Sequence, residues 1–438
     1  MNILLVTTYF YPQNRIPVLR VGQWAKYWAL QGHHVTVLTT LKYPFLGPYG
    51  LQPALPDGVE VVEVPYLPRW LHRSPATGHP GTAPRQPANA SLLRRQLRKW
   101  RSYIGSLCDV HDLWIRPAQR RGLELMAHRR YDAIVSSFSP PAVHVVASRL
   151  KAAHPEAVWL ADFRDLWANN HITSARGVLR RIEDALERRS LTGRADLLAT
   201  VSQPLADVLQ ARYPDMSVVV LENGFDPQEF PDWSERLRTP PEVGDTLRIC
   251  YTGTLYPGRR DPTPLLDALN RLIDAGRLDA QRVAVDFYGQ NEKELATILA
   301  QHDGNRHGIV RAHGFVSRDE ALAAQARSSL LLLLESAEPE ARGVMTGKLF
   351  EYLVSGKPIL GVGLDEDSVA AALIRDTGTG FCSRNPHEIA AVLAQALETG
   401  RFGFYAPVAE RIAPYARDRQ AEAITHRLSG AKEQRPCS

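Results

Sequence analysis

An unbroken apolar run, Leu330 to Leu334, constrains the fold of this 438-residue chain more than any other feature. Five consecutive leucines suit a strand that is covered on both faces of a parallel sheet. A loop with Gly343 follows, and from Leu349 onward apolar residues recur at helical spacing until Gly356 ends the pattern. We therefore predict a helix that begins near Thr346 and aims unpaired backbone N–H groups beyond the carboxyl ends of the strands.

Two side chains of this predicted helix suit a nucleotide. Lys348 adds a positive charge within one turn of the helix start, where phosphate oxygens would fit. Glu351, one turn further on, would accept two hydrogen bonds from a ribose diol. The alternative is that both residues belong to an ordinary solvated helix face, and the helix pattern alone does not separate the two interpretations.

Strand-like apolar runs alternate with helical patterns along the whole chain. This alternation predicts an α/β fold with two doubly wound units, and 438 residues exceed what one hydrophobic core usually serves. The predicted strands are Ile3–Thr7, Val35–Thr39, Val59–Val64, Ala133–Ser137, Val158–Ala161, Leu197–Val201, Leu247–Tyr251, Val283–Tyr288, Leu330–Leu334 and Pro358–Val362.

Several short motifs follow one another in a fixed order. They are Met1–Pro12 with Gly32–Thr39, Asp162–Trp167, Thr200–Ser202, Glu222–Asp226, Tyr251–Leu255 and Gly343–Leu353. In this order they resemble the retaining glycosyltransferases of family four, which have the GT-B fold. The resemblance implies two Rossmann-like domains that face a central cleft, the first binding the acceptor and the second a nucleotide sugar.

The resemblance and the composition together suggest domain boundaries. We expect an acceptor-binding domain over residues 1–229, a polar, proline-bearing linker over 230–245 and a nucleotide-sugar-binding domain over 246–405. The remaining residues, 406–438, are expected to form a helix that crosses back to the first domain, as the family's last helix does, followed by a tail.

The donor is expected at two loops of the second domain. After the strand that ends at Tyr251, a glycine lets the backbone approach a ligand, and two arginines offer planar forks to phosphate oxygens. Family members commonly have an arginine and then a lysine here, and in this chain the lysine role passes to Lys348. The alternative is a charged turn. The predicted donor-binding residues are Gly253, Thr254, Arg259, Arg260, Thr346, Gly347, Lys348, Leu349 and Glu351, of which Arg260 and Lys348 are also expected to stabilise the leaving diphosphate.

Two positions depart from the family pattern. Many members carry two glutamates with seven residues between them, and counting back from Glu351 places Gly343 at the first position. Glu338 or Glu340 would serve there only if the loop is longer. The first loop of the chain, Asn14–Pro17, also lacks the usual glycine pair.

The resemblance places three charged residues of the first domain, Asp162, Arg164 and Asp165, just past a strand at a position that faces the cleft. One carboxylate is expected to orient the acceptor, with Arg164 setting its ionisation, and a structural ion pair inside the loop is the alternative. The predicted acceptor-binding residues are Arg20, Ser137, Ser139 and His144.

No metal and no other cofactor is expected. No Asp-x-Asp triplet follows a strand, and the arginines, Lys348 and the helix dipole would supply the positive charge that a metal brings elsewhere. Four cysteines without paired spacing argue against a zinc site and against a disulfide framework.

A basic region at 94–130 follows a Pro- and Gly-rich stretch, Ser74–Asn89, that reads as a mobile loop. Arginines there outnumber carboxylates, and Trp100 and Trp114 are interleaved with them. We expect reversible docking on an anionic membrane with one of these tryptophans at the interface. A solvated outer face is the alternative, and nucleic-acid binding is not expected because no nucleic-acid module accompanies the charge.

No apolar run approaches the roughly 20 residues of a membrane span, and the N-terminus enters a strand without a basic leader. The chain is therefore expected in the cytoplasm, at most peripheral at the inner membrane face.

The expected function is that of a hexosyl-type glycosyltransferase. It would move a sugar, with retention, from a nucleotide-diphosphate sugar to a glycan or lipid-linked acceptor in surface polysaccharide or glycolipid synthesis. Two alternatives stay open at this point: a nucleotide-sugar epimerase of the same fold, and a catalytically silent scaffold that binds sugar nucleotides. The absent first glutamate keeps the scaffold alternative open.

Overall fold

The computed structural model describes residues 1–43, 49–68, 106–168, 177–239, 241–255, 260–289, 291–302, 304–335, 343 and 345–433. The chain forms two compact units. The first comprises Met1–Glu222 together with the C-terminal residues from Arg417 onward, and the second comprises Asn223–Ala416.

A seven-stranded parallel sheet in the order β3-β2-β1-β4-β5-β6-β7 forms the centre of the first unit. The strand order reverses between β1 and β4, the point at which open α/β sheets bind ligands beyond their carboxyl ends. The strands are β1 Asn2–Val6, β2 His34–Thr40, β3 Val59–Val64, β4 Ala133–Phe138, β5 Val158–Phe163, β6 Leu197–Thr200 and β7 Ser217–Val220. The helices between them are α1 Ile16–Leu30, a 3-10 turn Val110–Trp114, α2 Ile115–His128, α3 Ala142–Ala153, α4 Val178–Leu191 and α5 Gln203–Arg212.

The second unit has a six-stranded parallel sheet in the order β10-β9-β8-β11-β12-β13. Its strands are β8 Leu247–Thr252, β9 Val283–Tyr288, β10 Val310–Gly314, β11 Leu330–Leu334, β12 Ile359–Val362 and β13 Gly380–Ser383. Its helices are α6 Trp233–Arg236, α7 Thr263–Asp274, α8 Glu292–His302, α9 Arg318–Arg327, α10 Gly347–Leu353, α11 Val369–Thr377, α12 Pro386–Thr399 and α13 Ala409–Ile412, with 3-10 turns at Ala280–Arg282 and Ala413–Tyr415. The final helix of the chain, α14 Arg417–Glu433, belongs to the first unit.

The five leucines of β11 lie in the middle of the second sheet and are fully buried. Leu330, Leu332 and Leu334 pack in one core cluster, whereas Leu331 and Leu333 pack in another. Alternate side chains of a strand point to opposite faces, so helices cover this sheet on both sides. The prediction of two doubly wound α/β units is confirmed.

The stretch 230–245, predicted as a linker, lies in the second unit. Phe230 and Leu237 are buried in its core, on either side of the short helix α6. The prolines and charges of this stretch resemble those of a linker, but its apolar side chains anchor it. At the far end of the chain, α14 packs on α1, where the Trp28 Nε1 donates a hydrogen bond to the Ala421 carbonyl at 3.0 Å.

Candidate functional site

The loop after β8 is held in place by backbone and amide hydrogen bonds. The Gly253 N–H donates to the Tyr288 carbonyl at 2.9 Å, and the Gly253 carbonyl accepts from the Asn291 side chain at 2.7 Å. The same Asn291 amide accepts from the Leu255 N–H at 2.7 Å. A Cβ on Gly289 would lie 2.1 Å from the Gly253 carbonyl oxygen, so only glycine fits at this position. Asn291 and Gly289 had no signal in the sequence beyond their position after a strand.

Lys348 brings a buried positive charge to this loop. Its Nζ lies 4.2 Å from the centroid of the Tyr251 ring and 3.2 Å from where a Cβ on Gly253 would stand. Nζ is buried, and no hydrogen-bond acceptor contacts it in the described part of the chain. Burial, and then the nearby Arg260, lower the pKa of Lys348 to about 7, with Glu335 opposing them. A desolvated ammonium group without an acceptor is suited to bind an anion.

Arg260 lies beside the same loop. Its Nη1 donates to the Thr254 carbonyl at 3.0 Å, and its Nη2 lies 3.5 Å from Glu335 Oε2. The other carboxylate oxygen of Glu335 is buried and has no hydrogen-bond partner within the described ranges. The structure thus brings Gly253, Thr254, Arg260 and Lys348 together. Sequence analysis missed Glu335, although it directly follows β11 and therefore shares an edge with the end of β8.

Helix α10 begins at Gly347 with Thr346 as its N-cap, as predicted. Leu349, however, is fully buried in the core of the second unit, and its N–H donates to the Thr346 carbonyl at 3.2 Å. The prediction that Leu349 binds the donor is therefore wrong, because neither its side chain nor its N–H is available. The helix has seven residues, so its dipole adds less than the Lys348 charge.

Glu351 forms an ion pair that the sequence did not predict. Its Oε1 accepts from Arg318 Nη1 at 2.9 Å, and Arg318 Nη2 donates to Glu229 Oε2 at 2.7 Å. Burial raises the pKa of Glu351, and Arg318 opposes that effect. The arrangement fixes the Glu351 carboxylate on the helix that also carries Lys348.

Asp162 is fully buried at the carboxyl end of β5. Arg20 donates two hydrogen bonds to its carboxylate, from Nε to Oδ2 at 3.1 Å and from Nη2 to Oδ1 at 2.8 Å. Ser137 Oγ donates a third, to Oδ2 at 2.7 Å. Arg20 also donates to the carbonyls of Leu221 at 2.7 Å and Glu222 at 2.8 Å. The predicted roles of Arg20, Ser137 and Asp162 toward an acceptor need correction, because these side chains are occupied in joining α1, β4, β5 and the end of β7.

His144 is also buried. Its ring packs against Phe138, Phe163 and Trp167, and its Nδ1 lies 2.8 Å from Ser136 Oγ. Burial lowers the pKa of His144 to about 3, so the imidazole is neutral. The prediction that His144 contacts the acceptor is wrong, because aromatic side chains close over this face of α3.

Other predicted residues of the first unit keep a place at the carboxyl edge of the sheet. Arg164 and Asp165 follow β5, and Ser139 follows the neighbouring strand β4; all three side chains are half-buried. The Arg164 Nε is buried and has no hydrogen-bond partner in the part of the chain that the structure describes. Burial lowers the pKa of Arg164, and the negative charges of Asp165 and Asp162 act against this lowering. The ion pair of Asp162 is with Arg20, at 2.8 Å, and Arg164 interacts with the same carboxylate electrostatically.

Several predictions fall outside the described residues: Arg259, Glu338, Glu340, the stretch 74–89, the basic residues up to 101 and Trp100. Trp114 is described and is fully buried in the core of the first unit, so it cannot lie at a membrane interface. Of the helices that are described, none is both long enough and apolar enough to span a bilayer. The described ranges contain no group of three or more His, Cys, Asp or Glu side chains that could hold a metal ion.

Solved structures with the same architecture include glycosyltransferases. A glycosyltransferase from Rickettsia africae superposes with a TM-score of 0.59 at 12% identity, covering 99% of each chain. The lipopolysaccharide outer core galactosyltransferase WaaB in its apo form gives 0.57 at 11% identity, over 98% of this chain and 99% of that one. An Escherichia coli trehalose-6-phosphate structure bound with UDP-2-fluoro glucose gives 0.62 at 12% identity, over all of both chains.

At these identities the likeness establishes the fold alone. It confirms the prediction of a GT-B fold with two Rossmann-like units. No protein-family model matches the chain, and a comparison with curated proteins finds no match.

Proposed function

We propose that the chain is a glycosyltransferase that uses a nucleotide-diphosphate sugar as its donor. The observation that carries this proposal is Lys348, whose buried Nζ has no acceptor among the described residues and lies beside Gly253 and Arg260. Negative charge grows on the leaving diphosphate as the glycosidic bond breaks, and fixed cations stabilise it without reorganising. A bound diphosphate would give the Lys348 ammonium the partner that it lacks.

The other donor contacts are assigned by position. Glu351, held by Arg318, is proposed to accept hydrogen bonds from the ribose, and the Gly253–Thr254 backbone to approach the diphosphate. The structure with bound UDP-2-fluoro glucose shares this fold, which supports a nucleotide sugar as the ligand. We propose that the first unit binds the acceptor, with Ser139, Arg164 and Asp165 as its candidate contacts.

The finer assignments are proposals that rest on the resemblance to family four. They are transfer of a hexosyl-type sugar with retention, and a glycan or lipid-linked acceptor in surface polysaccharide or glycolipid synthesis at the cytoplasmic face of a membrane. The likeness of the fold to a lipopolysaccharide galactosyltransferase is compatible with such an acceptor. We also propose that turnover requires no metal, because Lys348 and Arg260 offer positive charge to the diphosphate.

A ligand screen followed by a turnover assay tests this function. We expect one nucleoside diphosphate and its sugars to raise the unfolding temperature of the full chain, since a ligand at a hundredfold excess over its Kd adds about 2.7 kcal/mol. The same nucleotide sugar should then be hydrolysed slowly, with excess chelator present and no acceptor added.

Each contrary outcome of these assays has a separate meaning. Interconversion of free nucleotide sugars would identify an epimerase, and binding without turnover under any acceptor would identify a scaffold. Activity that chelator abolishes and that magnesium or manganese restores would overturn the proposal that turnover requires no metal. No binding of any nucleotide would overturn the proposed function itself.

The Lys348 pKa predicts that donor binding takes up protons. With a pKa of about 7, roughly half of the unliganded molecules carry the ammonium at pH 7, and fewer do so at pH 8. A bound diphosphate favours the charged form and raises this pKa. Affinity should therefore fall by up to about tenfold per pH unit above 7 until the pKa of the complex is reached.

Calorimetry at pH 8 measures this uptake directly. The diphosphate of a nucleotide sugar has no group that titrates near this pH, so the heat of binding should vary with the ionisation enthalpy of the buffer only through the protein. Lys348→Met should abolish that variation, whereas Lys293→Met, on an exposed face of α8, should keep it. A buffer-independent heat for the wild type would contradict the assignment.

A further inference from the structure

Helix α4 of the first unit exposes a row of aliphatic side chains. Val178 is 71% exposed, Ile182 45% and Leu186 43%. Spacing of four residues places them one above another on a single face of the helix. An isolated exposed aliphatic residue is ordinary on a protein surface, whereas three in one stripe along a 14-residue helix indicate a surface that something covers.

Exposed arginines accompany this stripe. Arg180, Arg181 and Arg189 are exposed and form no ion pair or hydrogen bond through their guanidinium groups in the described structure. Arg188, also exposed, lies over the Tyr213 ring at 5.8 Å. At 3.6 residues per turn, Arg181 and Arg188 lie along one side of the stripe, and Arg189 lies in line with it beyond Leu186. The outer face of α4 therefore combines an apolar stripe with cations along one side and at its end.

Of the acidic residues of α4, Glu183 and Glu187 are turned inward, Asp184 is half-buried, and each is occupied by a partner. Glu183 is fully buried and accepts from the Ser106 N–H at 2.8 Å and from the Ser106 hydroxyl. Glu187 is buried and pairs with Arg212 at 2.7 Å, and Asp184 pairs with the same Arg212 at 2.8 Å. These contacts fix the rotation of the helix, so Glu183 and Glu187 point to the core and the stripe points outward.

We propose that α4 docks the protein on an anionic membrane surface. The Val178, Ile182 and Leu186 side chains enter the boundary between headgroups and acyl chains, and the adjacent Arg181, Arg188 and Arg189 bind lipid phosphates. A helix with a narrow apolar stripe and arginines beside it has the composition of helices that lie in this interface. This surface replaces the predicted tryptophan anchor at 114, and it does not depend on the proposed transferase activity.

Charge complementarity favours a lipid surface over a second copy of the chain. A two-fold contact through this face would place the same patch on both subunits, so arginines would oppose arginines across it. An anionic leaflet attracts each of these cations, by about 1 kcal/mol per residue near the surface.

Co-sedimentation of the full chain with vesicles tests the proposal. We expect the wild type to sediment at low salt with phosphatidylcholine vesicles that contain about 30% phosphatidylglycerol, and not with pure phosphatidylcholine. Arg181→Gln/Arg189→Gln should lower the partition coefficient about thirtyfold, the equivalent of two cations. Ile182→Ser/Leu186→Ser should lower it at least about tenfold, because the apolar area that enters the interface is lost.

Matched variants elsewhere serve as controls. Arg271→Gln/Arg311→Gln removes the same charge from exposed positions of the second unit, and Leu30→Ser/Val208→Ser removes exposed aliphatic groups from α1 and α5. Both should sediment like the wild type, and all four variants should keep the wild-type unfolding temperature. Hydrogen exchange of residues 178–191 should slow further when anionic vesicles are added and should not change with neutral vesicles.

Three results would overturn the proposal. One is a wild type that stays in the supernatant at low salt, and another is sedimentation of the α4 variants equal to that of the wild type. The third is a wild-type dimer in solution that Ile182→Ser/Leu186→Ser dissociates, since this would assign the face to a second copy of the chain.

Discussion

Replacing Lys348 with methionine is expected to weaken nucleotide-sugar binding about 10- to 150-fold and to raise the stability of the unliganded protein. The loss of affinity corresponds to about 1.5–3 kcal/mol, the range for hydrogen bonds to a charged group. The gain in stability arises because methionine has a similar length, packs well on the Tyr251 ring and removes a buried ammonium that has no acceptor among the described residues.

The sign of the stability change follows from the pKa of Lys348. Its pKa is about 7 in the folded protein, against about 10.4 for an unperturbed lysine. Between these values the unfolded chain binds more protons than the folded one, so wild-type stability rises with pH across this window. The buried charge therefore lowers the free energy of unfolding of the wild type by its full amount below pH 7, and this effect disappears above about pH 10.4.

Thermal unfolding at two pH values tests the stability change. At pH 7 the Lys348→Met protein should unfold a few degrees higher than the wild type, since 1 kcal/mol shifts the unfolding temperature of a domain of this size by about 2–4 °C. The difference should shrink at pH 9. Lys293→Met is the control and should change neither stability nor binding. Lower stability with unchanged donor affinity would show that Lys348 is a structural residue instead.

Local sequence signals predicted the strand and the helix start on the donor side of the site. The leucines of β11 form a strand covered on both faces because nothing in the run is polar. Helix α10 begins at Gly347, next to the predicted start at Thr346. Lys348 then follows at a fixed position on the helix. These features depend on neighbours in the chain, which periodicity reveals.

Long-range contacts explain where sequence reasoning failed. Arg20 and Asp162 are 142 positions apart, so no spacing rule connects them. The aromatic side chains that enclose His144 come from the end of β4 and from the end of β5 with the loop after it, and Arg318 reaches Glu351 from another helix. In each case a polar side chain at a strand end or helix start looked available for a ligand, and a distant partner occupies or covers it.

Arg20 is the residue for which the structural and the acceptor-binding interpretations differ most. If Arg20 bound an acceptor, Arg20→Ala would lower turnover and leave folding intact. In the structure its guanidinium instead neutralises the buried Asp162 carboxylate and hydrogen-bonds the two carbonyls that end the sheet, and its side chain is 2% exposed. Truncation would leave a carboxylate in the core without its cation.

Arg20→Ala is therefore expected to destabilise the protein by about 3–5 kcal/mol, the cost of removing one partner of a buried ion pair. Arg20→Ala/Asp162→Asn should recover part of this loss, because the uncompensated charge is gone while the carbonyls of Leu221 and Glu222 still lack their donor. The protein that remains folded should bind the nucleoside diphosphate with wild-type affinity, since Lys348 lies in the other unit.

Denaturant unfolding measures the free energy of unfolding of each variant. The control is Arg149→Ala, which removes an exposed arginine that donates one hydrogen bond to Gln119, and its stability is expected within about 0.5 kcal/mol of the wild type. If Arg20→Ala unfolds like the wild type and loses only turnover, the side chain acts on the acceptor and the ion pair is not what holds this edge of the sheet together.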